Sequence, residues 1–249
     1  MQTSTGAAVS AADLQGIARR FGRRWVLRGV SLRVEPGEAV ALMGRNGSGK
    51  TTLLRIVSTA LSPTRGAARV FGHDLQRAGD RVRELVGILG HAAGLYEDLT
   101  GAENLQFALR MCGMKPDRSA IEGALAEVGL AEAGDERVRT FSAGMRRRLA
   151  LARLVLRPPR LLLLDEPYAA FDVDGIRKVN DFVRRVTAAG GAAIVSTHDL
   201  QRALPVADRV VHIVDGQLYD GAPSDLDLRL ERAEGDDAEE LRSAAGGAR

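Results

Sequence analysis

The sequence predicts an α/β fold: a mostly parallel sheet with helices on both faces, an antiparallel β subdomain, and an inserted helical subdomain. Three observations carry this reading. A glycine-rich loop, Gly44-Arg45-Asn46-Gly47-Ser48-Gly49-Lys50-Thr51-Thr52, joins the short apolar run Glu38–Met43 to a run, Leu53–Val57, that continues as a helix. Apolar runs at Leu161–Leu164, Ala192–Ser196 and Arg209–Val214 have strand length and are separated by segments of helical length, the alternation of a sheet covered on both faces. Residues 100–135 switch to helical periodicity between two strand-rich regions, as an inserted subdomain would.

The elements follow in chain order. Residues 1–12 are small and polar and read as a flexible tail. Strand-like pieces then run Leu14–Arg20, Trp25–Val34 and Glu38–Met43, punctuated by Gly22 and by Pro36-Gly37, as antiparallel strands with tight turns would be. Trp25 is expected in the core. After the glycine loop and its helix, residues 62–66 form a turn, Ala67–Phe71 a strand, Asp74–Leu85 a helix and Val86–Leu89 a strand. Thr100 with Glu103 is a capping-box signature, and Leu105, Leu109, Ile121, Leu125 and Val128 supply the apolar face of the helical block. The domain is expected over residues 13–230, with the helical subdomain at about 90–140. Residues 231–249 have few apolar side chains and are expected to be disordered.

Composition narrows the classes. The chain has 249 residues, 45% hydrophobic and 27% charged, enough for one large domain or a domain with a subdomain. Its formal net charge is +3 and the basic residues are dispersed, which argues against a nucleic-acid stripe. One cysteine, Cys112, excludes an internal disulfide and fits a reducing compartment. No signal-peptide pattern opens the chain, and no apolar run approaches the ~20 residues of a spanning helix. A soluble protein is expected, with any membrane role exercised through a partner.

Three motifs carry chemistry. The loop fits G-x-x-x-x-G-K-[ST] between a strand and a helix, the context in which backbone N–H groups and a helix N-terminus hold a polyphosphate. Lys50 would reach the outer phosphates and the Thr51 hydroxyl would ligate Mg²⁺. An empty glycine-rich turn is the alternative. The run Leu161–Leu164 ends in Asp165-Glu166, two carboxylates where the strand ends of open α/β sheets line a ligand crevice. Asp165 would hold the metal ion and Glu166 would act as general base toward water, unless the pair is only a solvated strand end. In Phe141-Ser142-Ala143-Gly144-Met145, Ser142 is placed to cap a helix, which makes either a second anion site or a plain capped helix.

The order of these elements resembles the ATP-binding subunit of ATP-binding-cassette (ABC) transporters over roughly residues 13 to 225. Residues 44–52 look like the Walker A motif, Leu161–Glu166 like Walker B with its glutamate, and Phe141–Met145 like the signature usually written L-S-G-G-Q. Ala170-Phe171-Asp172 looks like the D-loop, and Ser196-Thr197-His198-Asp199 like the switch motif. The resemblance implies a P-loop NTPase core that binds ATP and Mg²⁺. Gly44, Asn46, Gly47, Ser48, Gly49, Lys50, Thr51 and Thr52 would bind the nucleotide, with Phe21 under the adenine. Glu166, His198 and Lys50 would be catalytic. Ser142, Gly144 and Asp172 would complete the site of a second subunit in a head-to-tail dimer. The helical subdomain would offer a groove to a separate membrane permease, with no direct contact between cargo and this chain and none with nucleic acid. The place implied is cytoplasmic, peripheral on the inner face of the cell membrane.

Two positions depart from the family pattern. His91 stands where the family has a loop glutamine; a neutral imidazole could ligate the metal ion or accept from its water, or His91 could serve only as a hinge contact. Met145 replaces the signature glutamine. The run Leu89-Gly90-His91, the segment Leu99–Leu105 and Ser142-Ala143-Gly144 are most similar to the haem-exporter ATP-binding subunits of cytochrome c maturation. Exporters of drugs, lipids or polysaccharides share the same chemistry. A soluble ABC ATPase is disfavoured by the presence of a single nucleotide site, and a non-catalytic cassette by the presence of Lys50 and Glu166.

Overall fold

The computed structural model describes residues 9–90, 94–169 and 171–221. The elements are β1 (Ala12–Phe21), β2 (Arg24–Val34), β3 (Ala39–Met43), α1 (Lys50–Val57), β4 (Arg65–Val70), β5 (His73–Asp74), α2 (Gly79–Leu85), β6 (Val86–Leu89), α3 (Gly101–Met111), α4 (Arg118–Glu127), α5 (Ala143–Leu156), β7 (Leu161–Asp165), α6 (Val173–Ala188), β8 (Ala192–Ser196), α7 (Leu200–Ala203), β9 (Arg209–Val214) and β10 (Gln217–Asp220). Two sheets form. One is antiparallel in the order β2-β1-β4-β5; the other runs β10-β9-β3-β8-β7-β6 and is parallel except for the edge strand β10.

The central strands are buried on both faces, which their unbroken apolar sequences require. Successive side chains alternate between two cores. Ala39, Ala41, Leu162, Leu164, Ala193 and Val195 face the helical side. Val40, Leu42, Leu161, Leu163, Ala192 and Ile194 face α1 and the antiparallel sheet. In α6, Gly175, Val179, Phe182, Val183 and Val186 recur at helical spacing and give that helix its buried stripe. The capping box at Thr100 is formed: its hydroxyl accepts from Glu103 N at 3.1 Å, and Thr100 N donates to Glu103 Oε2 at 2.8 Å.

Several sequence expectations change. The first strand begins at Ala12, and Ala11 and Ala12 are fully buried, so the proposed tail 1–12 ends earlier; residues 1–8 lie outside the described residues, as do 231–249. Phe71 N donates to Ala11 O at 3.1 Å, which draws this segment into the sheet. The helix expected over Asp74–Leu85 starts only at Gly79. The Asp74 carboxylate accepts from Gln76 N (2.9 Å) and Arg77 N (3.0 Å), and this local turn competes with helix. The same bonds hold its carboxyl below the usual range. Trp25 is only half-buried, not core; Arg20 and Arg65 lie over its ring at 5.5 and 5.6 Å. Strand β10 was not anticipated. Its signal is Asp215-Gly216, a two-residue turn with φ of 48° and 78°, the type I′ hairpin geometry. That turn also joins the two sheets, because Arg28 N donates to Gly216 O at 2.7 Å.

Replacing Thr100 by Ala removes the hydroxyl that accepts from Glu103 N and leaves the reciprocal bond, donated by the backbone N–H of residue 100, in place. A loss of about 1 kcal/mol is expected in chemical denaturation, with the overall secondary structure retained by circular dichroism.

Candidate active site

Parallel pairing sets Leu42, Ser196 and Asp165 side by side, so the loops that follow β3, β8 and β7 leave the sheet at one edge. Into this edge opens a cleft of about 460 Å³ lined by Val26, Arg45, Asn46, Gly47, Gly49, Lys50, Thr51, Thr52, Glu166, Ala169 and His198.

The loop after β3 has the shape its glycines allow. Gly49, at φ 114°, caps α1 without a side chain, which leaves the first N–H groups of the helix directed at the cleft. Gly44, at φ 150°, runs so close to its surroundings that a Cβ there would lie 2.6 Å from Ile213 O and 2.6 Å from Ser48 Oγ. The buried Lys50 ammonium donates to Gly44 O at 2.6 Å and Arg45 O at 3.3 Å, and lies 3.4 Å from Glu166 Oε1.

The carboxylates at the end of β7 have distinct partners. Asp165 is buried and accepts from Thr51 Oγ1 at 2.8 Å and from Ser196 Oγ at 2.7 Å. Glu166 has φ 48°, a left-handed conformation uncommon for a residue with a side chain. Its N–H donates to Ser196 O at 3.0 Å, and its Oε2 lies 2.9 Å from His198 Nδ1. Ser48 Oγ and Glu166 Oε1 are buried without a hydrogen-bond partner.

These features fit an absent polyphosphate. A cationic ammonium and a helix N-terminus without a side-chain cap converge on one space. The Thr51–Asp165 pair, one hydroxyl beside one carboxylate, suits an ion that takes its remaining ligands from phosphate and water, as Mg²⁺ does. Among the described residues no group of three or more His, Cys, Asp or Glu side chains could cage a metal by itself.

Other sequence-predicted residues lie apart from the cleft. Ser142 is exposed; it caps α5 and its Oγ accepts from Met145 N at 3.2 Å. Neither Ser142 nor Gly144 lines the cleft. Asp172 caps α6. Its carboxyl is held below the usual range, first by the Gly175 N–H (2.9 Å) and also by the Arg148 guanidinium (2.7 Å). Phe21 is exposed, lies outside the cleft lining, and has Arg19 over its ring at 4.6 Å. His91, the suggested metal ligand, lies outside the described residues, and so does Ala170. Sequence reading missed Ser196 Oγ and the buried Arg147, which donates to the main chain at Asp165 and Glu166.

A phosphate-binding loop at the end of the central parallel strand β3, with two carboxylates at the end of β7 on the far side of β8, defines a P-loop ATPase. Comparison with known proteins refines the class. Residues 27–169 match the family model described as ABC transporter, and the chain belongs to that family as an ATP-hydrolysing, ATP-binding subunit. It is 47% identical to the cytochrome c biogenesis ATP-binding export protein CcmA of Xanthomonas axonopodis pv. citri, over 73% of this chain and 84% of that one. It is 36% identical to the daunorubicin resistance ATP-binding protein DrrA3 of Streptomyces coeruleorubidus, over 96% and 72%. A solved ATP-binding subunit of an ABC transporter superposes with TM-score 0.79 at 26% identity, covering 89% of this chain and 94% of the other. The fold is also that of a dimeric ATP-binding cassette in a post-hydrolysis state with ADP and phosphate, at TM-score 0.76 and 24% identity, over 84% and 98%.

Gly44→Ala places a methyl against a carbonyl and a buried hydroxyl. ATP binding, titrated with a fluorescent nucleotide, is expected to weaken about 10-fold or more, which about 1.4 kcal/mol of strain suffices to produce.

Proposed function

We propose that Glu166 is the general base of ATP hydrolysis and that His198 and Lys50 hold its carboxylate and the outer phosphate in register. The observation that carries this reading is the placement of Glu166: one oxygen lies 2.9 Å from His198 Nδ1, and the other lies 3.4 Å from Lys50 and lacks a hydrogen bond. A carboxylate with a spare acceptor beside a phosphate cradle can orient water and take its proton. Thr51 and Asp165 would hold Mg²⁺, which when bound neutralises phosphate charge. Gly44, Asn46, Gly47, Ser48, Gly49 and Thr52 supply the cradle, with Phe21 assigned to the adenine face.

We assign Ser142, Gly144 and Asp172 to the site of a second subunit. Their position outside this chain's own cleft, with Ser142 and Asp172 exposed, supports a head-to-tail pair in which each cleft is closed by the other copy's α5 N-terminus. ATP then holds the pair together, and hydrolysis releases it.

The chain's membrane partner would seat in a second concavity of about 420 Å³ between α3, α5 and β6, lined by Leu95, Leu105, Phe107, Leu154, Arg153 and Arg157 among others. No helix among the described residues is long and apolar enough to cross a membrane. The two arginines bond Gly94 O (3.3 Å), Glu84 O (3.0 Å) and Cys112 Sγ (3.6 Å), and among the described residues neither pairs with a carboxylate. That chemistry fits an apolar permease helix bearing an acidic residue, with this chain peripheral on the cytoplasmic face. For cargo, haem export is favoured by the identity to the CcmA protein and by Ser142-Ala143-Gly144. Drug export is the second reading, supported by the longer match to DrrA3.

Glu166→Gln is expected to cut turnover by about 100-fold or more and to accumulate an ATP-dependent dimer on size exclusion. A monomer with normal turnover would remove Glu166 from the mechanism. Arg153→Glu with Arg157→Glu should lower recovery of the membrane partner from solubilised membranes about 10-fold, through like-charge repulsion. ATPase stimulation of the recovered complex by haem and not daunorubicin would support the first cargo; the reverse would support the second.

A further inference from the structure

Helix α5 carries three consecutive arginines, Arg146 to Arg148, just after its first turn, and the helical turn sends each in a different direction. Arg146 reaches back to Val138 O and Arg139 O. Arg148 pairs with Asp172 and donates to Val128 O. Arg147 points inward and is buried. Its Nη2 donates to Asp165 O at 2.8 Å and to Glu166 O at 2.5 Å, while its Nε is buried without a partner. Desolvation outweighs the pull of the nearby carboxylates and lowers its pKa from the usual arginine value. A buried guanidinium that makes no ion pair among the described residues is costly to keep, so what it grips matters.

The two carbonyls belong to the peptide planes on either side of the Glu166 Cα. A single nitrogen therefore holds both planes about a residue whose φ of 48° is intrinsically unfavourable. With both planes fixed, the Cα–Cβ bond has one direction, and the carboxylate is delivered between Lys50 and His198. We propose that Arg147 is a positioning residue for ATP hydrolysis: it locks the Glu166 backbone and links that lock to the helix capped by Ser142. The proposal rests on Glu166 being the general base.

Arg147→Met and Arg147→Lys test it by steady-state ATPase kinetics, with Arg147→Met repeated in the Glu166→Gln background. Misaiming a reacting group should lower kcat about 10- to 100-fold in Arg147→Met with KM for ATP unchanged within about twofold. Arg147→Lys, which can reach a carbonyl with one ammonium, should fall between Arg147→Met and the parent. In the Glu166→Gln background, the ATP-dependent dimer should form at the same ATP concentration with or without Arg147→Met. Unchanged kcat in Arg147→Met overturns the proposal. So does a parallel loss of kcat, ATP affinity and dimer, which marks a structural role. If Arg147→Met does not fold, Arg147→Lys decides: lower kcat at constant KM supports the lock, and parental kcat overturns it. Normal turnover in Glu166→Gln alone overturns the general-base reading instead, a result distinct from full activity in Arg147→Met.

Discussion

Parallel pairing across β3, β8 and β7 is the constraint on which the cleft depends. Leu42, Ser196 and Asp165 occupy one row of that pairing. Because parallel strands end at the same edge, the phosphate loop, the carboxylates and His198 emerge together without any direct bond having to gather them. Side-chain bonds then tune the row: Thr51 and Ser196 each donate to one oxygen of Asp165. A slip of one residue would turn Asp165 to the opposite face and break both bonds. The two cores on either side of the sheet resist that slip, since each central strand buries alternate residues in each.

The cleft is chemically lopsided. Its polar lining comes from the phosphate loop and the start of α1, from Glu166 and from His198; the remaining lining residues, Val26 and Ala169, add no charge or hydroxyl. The capped N-terminus of α5 is elsewhere on the surface. This division gives a physical basis for the proposed paired arrangement: a polyphosphate cradled on one side only leaves its outer charge to be met by another surface.

Much of this was legible because the signals were local. The glycine loop, the Thr100 capping box and the Ser142 cap each depend on residues a few positions apart, and each formed as spacing required. The strand ends were legible because continuous apolar runs have few other fates. What escaped depended on partners distant in sequence. Arg147 sits in a run of three arginines with nothing in the run itself to mark the one that turns inward; the two carbonyls it meets lie 18 and 19 residues further along the chain. Trp25 looked like core by residue type, but arginines from β1 and β4 cover it at the margin of the antiparallel sheet. Asp74 shows the reverse case, a local turn overriding a longer helical pattern. Motif resemblance ranked the haem reading above the drug reading, but the site itself does not separate them, because both use the same ATP chemistry.

The Asp215-Gly216 hairpin has a consequence beyond closing the sheet. A methyl at Gly216 would meet Val26 O at 2.5 Å, and Val26 lines the cleft. Surface turns are ordinarily the most permissive places in a chain, open to substitution and insertion. This one is wedged between the two sheets beside the cleft, so its mutational tolerance is set by the same close contact that seats the antiparallel sheet against the ATP site.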